Sequence, residues 1–362
     1  MNNITTIGLD LAKKKFHLVG VDASGKKVLS KKLMRSDVLS YFEQYIDKSV
    51  EIAMEACGGC NYYAQELSKL GFTKIKLFKP KDVKPYAKSR QKNDFNDSLA
   101  IAKSARDPEL KLVQPKNKYQ QEIMLLHKLR QNCIDERKQK SNSLMSSLLE
   151  FGYVTICRKA GFARECINEI ELAYSQNYIT EKSKNLLIKE AEKIAKLLSE
   201  EKEFDKELVK SNKGNEKAIR LQTIPGIGPV NASILSILSV ESYDNPRDFA
   251  ASLGLVPSQH TTGGKVQLGR ISKQGNRYAR TMLIQGARTI VMQARINPDK
   301  NDKLTIFAKS LLAKDKGFNK TAVAVANKIA RIAFALTIKQ QNYQSDNQNN
   351  SALTCGKVKD AA

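Results

Sequence analysis

The sequence predicts an α/β N-terminal domain followed by two largely helical units, and three observations predict it. Short β-rich runs alternate with helical spacing only as far as about residue 113. From 118 to 210 the composition turns to Leu, Ile, Lys, Glu, Gln and Ser, with few strand signals. Beyond 215 helical patterning dominates, interrupted by a Gly-x-Gly turn and a glycine- and cation-rich loop. The expected domains are 1–113, 114–212 and 213–341, with a tail over 342–362 whose Asn, Gln and Ser content predicts disorder.

In order, Ile4 to Leu11 is a β-rich run and Phe16 to Val21 a second. Lys26 to Leu33 is a third after the turn Asp22-Ala23-Ser24-Gly25. Val38, Tyr41, Phe42 and Tyr45 share one face of a helix over 37–46. Val50 to Met54 is a short buried strand ending at Glu55, and Asn61 to Leu70 is a helix closed by Gly71. Lys74 to Phe78 alternates again, and Asp94 to Ala105 is helical. Three meandering strands, then helix, strand, helix, strand, helix, is the element order of a ribonuclease-H-like domain. In the second unit Leu187, Ala191, Ile194 and Leu198 step by four and three, a coiled-coil seam that Leu197, Phe204 and Leu208 continue with a slip. This helical coiled-coil arm either packs on itself or dimerises. The third unit holds Pro225-Gly226-Ile227-Gly228-Pro229 between helices, then a loop from Pro257 to Gly275. Helices near 276–295, 303–315 and 319–340 complete it.

Sixty-one Lys+Arg against 37 Asp+Glu give a formal charge of +24. A compact protein repels itself at that charge, so a polyanionic partner such as nucleic acid is the economical explanation. With no Trp and 7% aromatics, phosphate contacts outweigh base stacking. No apolar run approaches the ~20 residues of a membrane span, and the polar start is not a signal peptide, so no membrane partner is expected. Six scattered cysteines read as free thiols in a reducing cytoplasm. Cys57 and Cys60 form a lone CxxC without a second ligand pair for zinc, and three histidines give little support to a histidine-based metal site.

Asp10 sits inside an otherwise apolar strand, where an unpaired carboxylate is expensive. A parallel neighbour would bring Glu55 beside it. Asp94 and Asp97, three apart on a helix, share a face. Four converging carboxylates repel unless cations fill the gap, and hard oxygen ligands suit Mg²⁺, with Mn²⁺ as an alternative. Two such ions about 3.5–4 Å apart can clamp a phosphoryl transfer. The bland reading makes Asp94 a helix cap, Asp97 a first-turn acid and Glu55 a surface residue. The combination, with Lys88, Arg90 and Lys92 just ahead as phosphate contacts, favours the metal site.

The run from Thr261 to Arg277 mixes glycines with cations. Glycine lets backbone approach phosphate closely, and Lys265, Arg270, Lys273, Arg277 and Arg280 can neutralise it. Ser272 lies just ahead of the next helix, either capping it, binding phosphate, or attacking phosphorus once activated. Upstream, Gly226 and Gly228 are either a plain helix connector or a hairpin presenting N–H groups to DNA phosphate.

Taken together these motifs resemble the insertion-sequence transposases of the bridge-RNA-guided DEDD type (the IS-one-ten family), relatives of Piv-type DNA invertases. The resemblance spans roughly residues 4–340. It rests on Gly8-Leu9-Asp10-Leu11-Ala12-Lys13, Met54-Glu55-Ala56-Cys57-Gly58-Gly59, Lys92-Asn93-Asp94-Phe95-Asn96-Asp97, Ile224-Pro225-Gly226-Ile227-Gly228 and Gly269-Arg270-Ile271-Ser272-Lys273-Gln274-Gly275-Asn276. Cys60 stands where a smaller residue is expected. The resemblance implies a RuvC-like domain with a metal-binding tetrad at Asp10, Glu55, Asp94 and Asp97, and a C-terminal transposase domain with a serine nucleophile at Ser272. It also implies donor and target DNA as substrates and a bridge noncoding RNA that selects them. The implied assembly is a homodimer building to a tetramer, in a prokaryotic cytoplasm at the nucleoid. A hydrolytic RuvC-like nuclease or junction resolvase, with water as nucleophile, is the competing enzyme. A non-catalytic nucleic-acid-binding protein is the competing class.

Overall fold

The structure, a computed structural model, describes residues 3–87, 94–154, 161–263, 265–299 and 301–344. The chain divides into two compact units, Met1–Gln121 and Glu122–Ala362. The tail expected to be disordered lies outside the described residues from 345 onwards.

In the first unit β1 (Thr6–Asp10), β2 (Lys15–Val21) and β3 (Lys27–Met34) form an antiparallel meander. Then come α1 (Val38–Tyr45), β4 (Glu51–Glu55), α2 (Cys60–Lys69), β5 (Ile75–Phe78), α3 (Pro80–Val83) and α4 (Asp94–Ser104). The mixed sheet has the order β3-β2-β1-β4-β5, with β4 parallel to both β1 and β5. Strand alternation sorts the side chains between its faces. Ile7, Leu9, Phe16, Leu18, Ile52 and Met54 pack with Val38 and Phe42 of α1 and Leu67 of α2. Full burial of each such side chain contributes about 1.5–3 kcal/mol, so this face carries the stability. The opposite parity (Gly8, Asp10, His17, Val19, Ala53, Glu55) faces α4. There Val19 meets Ala102, and Ala53 meets Ala100 and Ile101.

Helix α4 sits unusually close to the sheet at Gly8. A Cβ on Gly8 would lie 2.0 Å from the Ser98 carbonyl oxygen and 2.5 Å from the Ala102 nitrogen. Ser98, fully buried, donates its hydroxyl to the His17 carbonyl at 3.0 Å. Glycine at position 8 therefore sets the height of α4 above β1.

Helix α5 (Lys118–Glu150) leads into the second unit, followed by α6 (Phe162–Ser175) and α7 (Glu181–Ser211). Arg130 pairs with Glu201 and Asp205, Arg137 with Glu201 and Lys140 with Glu190, so α5 and α7 run antiparallel. The stripe read as a seam faces the same chain: Ala191 and Ile194 pack with Leu144, Leu148, Cys166 and Ile170.

The rest comprises α8 (Glu216–Gln222), α9 (Pro229–Ser236), α10 (Pro246–Ser252), β6 (Pro257–Thr262), β7 (Lys265–Ile271), α11 (Arg277–Ile296), α12 (Lys303–Leu312) and α13 (Phe318–Lys339). One expectation needs correction. The stretch read as a loop from 257 is largely an antiparallel hairpin, β6 with β7. Most of its described side chains are exposed, so no buried face imposed the alternation that marks a strand. Helix α13 matches the helix expected near 319–340, and Lys320, Lys328, Arg331 and Lys339 divide it into short apolar runs. Its Val325, Ala326, Ile329, Ala330 and Phe334 lie in the core of this unit against Phe249, Leu283 and Ile290.

Candidate active site

Two constellations carry chemistry, one in each unit. In the first, register brings the acids together. Parallel pairing of Leu9 with Met54 sets Asp10 beside Glu55, at neighbouring strand ends. Asp94 and Asp97 occupy the first turn of α4, on the helix that roofs this face. Glu55 is half-buried, and its carboxyl holds its proton above the usual glutamate range. Burial is the main cause, and the charges of Asp10 and Asp97 add to it. Asp10 and Asp97 thus both act on Glu55.

The fourth, Asp94, is tied in through a residue that the sequence reading set aside. His17 is the antiparallel partner of Asp10. It is 4% exposed, and its Nδ1 lies 3.4 Å from an Asp94 carboxylate oxygen. One donor atom each from Asp10, His17 and Asp94 lie within 4.8 Å of one another. The Phe95 ring meets the imidazole edge-on at 4.8 Å between centroids. The histidine was legible only through the hairpin register, which the four residues between β1 and β2 determine.

The donor set is hard. Cys57, next to this edge, has its thiol pushed up to about 11 by burial, then by Cys60, Glu55 and Asp10, so it stays protonated near neutral pH. Carboxylates and imidazole fit a divalent cation. Lys88, Arg90 and Lys92 lie outside the described residues.

In the second unit Ser272 follows β7 directly, and its N–H donates to the Val256 carbonyl at 2.8 Å. Its Oγ is buried and has no hydrogen-bond partner. Asn276, not Ser272, caps α11, accepting from the Ala279 N–H. The loop between is clamped onto the end of α10. A Cβ on Gly275 would meet the Ser252 carbonyl oxygen at 1.8 Å, and one on Gly254 would meet Gln274 backbone at 2.5 Å. Lys273 is held in the left-handed region, at φ 54°. Arg270, Lys273 and Arg277 are exposed and free to face a polyanion. The Lys265 side chain lies outside the described residues.

Arg280 departs from the expected phosphate contact. It is 7% exposed and donates to the carbonyls of Leu253 and Gln274 at 2.9 and 2.8 Å. It stitches the serine loop to α10 rather than meeting solvent. Gly226 departs too. At φ 83° it turns the chain against α11, where its added Cβ would strike the Gly286 carbonyl oxygen at 2.7 Å. Gly228, by contrast, is exposed, with open space around it. Near the start of α11, Tyr278 bonds His127 Nδ1 at 3.0 Å, and His127 Nε2 bonds Ser233 at 2.8 Å. This anchors α11 to α5 and α9.

Comparison with known proteins bears on both constellations. A family model described as "Transposase", of the DEDD IS110 group, matches residues 7–152, which hold all four acids and His17. The "Transposase IS116/IS110/IS902 family" model matches residues 218–302, which hold Ser272. The chain is 35% identical over 344 residues to a probable family 20 transposase of Pseudomonas aeruginosa, covering 94% of this chain and 99% of that one. It is 33% identical over 351 residues to the transposase for insertion sequence element IS1111A of Coxiella burnetii, covering 95% and 92%. It is 34% identical over 339 residues to the transposase for insertion sequence element IS1328 of Yersinia enterocolitica, covering 93% and 98%. The chain therefore belongs to the IS110/IS116/IS902 family of insertion-sequence transposases, DNA-processing enzymes with a DEDD domain.

Proposed function

We propose that this transposase cuts and rejoins the strands of an insertion sequence through a ribonuclease-H-like DEDD site and a serine nucleophile. The observation that carries this reading is the acidic sheet edge, where burial and then the charges of Asp10 and Asp97 raise the proton affinity of Glu55. Carboxylates held against one another in this way favour a cation in their midst. The chemistry a divalent cation, Mg²⁺ or Mn²⁺, would supply there is Lewis-acid stabilisation of phosphoryl transfer. Asp10, Glu55, Asp94 and Asp97 would hold it. The meander of β1 to β3 joined to parallel β4 and β5 supports the ribonuclease-H-like assignment.

Ser272 would attack the scissile phosphorus. The Oγ–P bond forms as the P–O bond to deoxyribose breaks, and the serine proton ends on the departing hydroxyl. The phosphodiester energy stays in the phosphoserine, so the reverse attack by another strand's hydroxyl rejoins DNA without an external energy source. Arg270, Lys273 and Arg277 neutralise the phosphates, and the exposed, uncrowded backbone at Gly228 suits contact to phosphate. In this reading a bridge RNA pairs with donor and target DNA and selects the sites. Homodimers assemble to a tetramer in the prokaryotic cytoplasm, with the arm holding subunits in place.

Denaturing electrophoresis of the protein with labelled element-end DNA tests the covalent step. Wild type should give an adduct that resists denaturation, and Ser272→Ala should give none. Cleavage by Ser272→Ala at the normal rate would instead favour water as nucleophile, a reading to which the burial of the Ser272 hydroxyl lends some weight.

A further inference from the structure

His17 brings a nitrogen donor into a site that sequence reasoning treats as all oxygen. Antiparallel pairing with Asp10 puts both side chains on the α4 face of the sheet. The ring is 4% exposed, edged by Phe95, and its backbone carbonyl is fixed by the Ser98 hydroxyl. Its buried Nδ1 makes no hydrogen bond, although an Asp94 carboxylate oxygen is only 3.4 Å away. A ring nitrogen whose task was to donate to Asp94 would be aligned with it. A buried polar atom left unpaired costs about 1–3 kcal/mol, so this one calls for a partner.

We propose that His17 Nδ1 is a direct ligand of the cation held by Asp10 and Asp94, making the site mixed imidazole–carboxylate and giving it a preference for Mn²⁺ over Mg²⁺. The inference rests on the reading that these acids bind a divalent cation. The three donor atoms already lie within 4.8 Å of one another. Nδ1 would offer its lone pair, with the ring proton on Nε2. Mg²⁺ favours water and carboxylate oxygen, whereas imidazole nitrogen is a better ligand for the transition metals.

Affinity alone cannot separate this from an indirect role. A histidine that merely orients a ligating carboxylate also changes metal affinity, by about 10–100-fold. Coupling between the electron spin of Mn²⁺ and a ligand ¹⁴N does separate them. The purified full-length protein with substoichiometric Mn²⁺ should show ¹⁴N imidazole coupling in pulsed electron paramagnetic resonance. The signal should convert to the ¹⁵N pattern in protein grown on ¹⁵N-histidine, which needs no substitution. It should vanish in His17→Asn and persist in His260→Gln, since His260 is exposed and lies in the other unit. His17→Asn should also lose its preference for Mn²⁺ over Mg²⁺ by about tenfold or more in competition titrations. Bound Mn²⁺ without nitrogen coupling in wild type, or coupling that survives in folded His17→Asn, overturns the role of His17 and leaves the carboxylate site standing. Failure of wild type to bind Mn²⁺ at all overturns both.

Discussion

Gly8→Ala tests whether the height of α4 above the sheet sets the activity. The new Cβ would lie 2.0 Å from the Ser98 carbonyl oxygen and 2.5 Å from the Ala102 nitrogen. Both are backbone atoms, so no side chain can swing aside. Ordinary contact begins near 3.4 Å, and the helix must therefore retreat or tilt by about 1.4 Å. That movement carries Asp94 and Asp97 away from Asp10 and Glu55. A misplacement of about 1 Å at a reacting centre costs on the order of 100-fold in rate. Overpacking costs about 1–3 kcal/mol, which the core on the opposite face can absorb, so the variant should fold. Cleavage of element-end DNA should fall about 100-fold and Mn²⁺ affinity should weaken, while far-ultraviolet circular dichroism stays native. Gly20→Ala is the control. It lies on β2, and its Cβ would meet only side-chain atoms, of Leu29 and Ile4, at 3.0–3.5 Å. It should cleave at nearly the wild-type rate. Gly8→Ala cleaving within about threefold of wild type, or Gly20→Ala equally impaired, refutes the argument that this one close approach positions the acids.

Asp97→Asn should abolish cleavage yet leave nucleic-acid binding intact in electrophoretic shift assays, because it removes a ligand charge and no phosphate contact. Because the folded state raises the Glu55 pKa, the stability from its neutral form is present at low pH and lost as pH rises through the folded value. Glu55→Gln should therefore be more stable than wild type to urea at pH 7 without divalent cation, with the gap closing below about pH 4. Arg277→Ala should reduce the salt dependence of DNA binding by about one phosphate contact, whereas Arg280→Ala should leave that slope unchanged and lower stability. His127 is depressed from 6.5 to about 4, chiefly by burial and then by Arg130, so its contribution is present above pH 6.5 and lost as pH falls through 4. Acid unfolding of wild type should include about 3 kcal/mol from this group, and His127→Gln should flatten that part of the pH profile.

The acids were legible because each lay where strand and helix periodicity place side chains. Asp10 and Glu55 end apolar strands that pair in parallel, and Asp94 and Asp97 share a face at helical spacing. His17 was not legible, since its neighbour depends on a turn of four residues. One residue more or fewer would have turned it to the other face. Arg280 looked like its exposed neighbours because a cation among cations carries no sign of burial. Only the fold shows carbonyls of Leu253 and Gln274 waiting for it. The turn at Gly226 was readable as a turn, but the reason for glycine there lies 60 residues away, in Gly286 on α11. The β6–β7 hairpin escaped because its exposed sides left no hydrophobic alternation to read.

Both constellations share a physical design that explains where the chain tolerates loss of stability. Each holds a buried polar atom without a hydrogen-bond partner, His17 Nδ1 in one unit and Ser272 Oγ in the other. Such an atom costs about 1–3 kcal/mol, and a mobile backbone would relax to relieve it. Here the backbone has little room to do so. Gly8 locks α4 against β1, and Gly254 with Gly275 locks the serine loop against the end of α10. Both locks work because two backbones approach more closely than any side chain permits. The rigidity that leaves these atoms unsatisfied is also what holds them ready for an incoming group at no further ordering cost. The glycines should thus be sensitive to substitution even though they carry no side chain to offer a ligand.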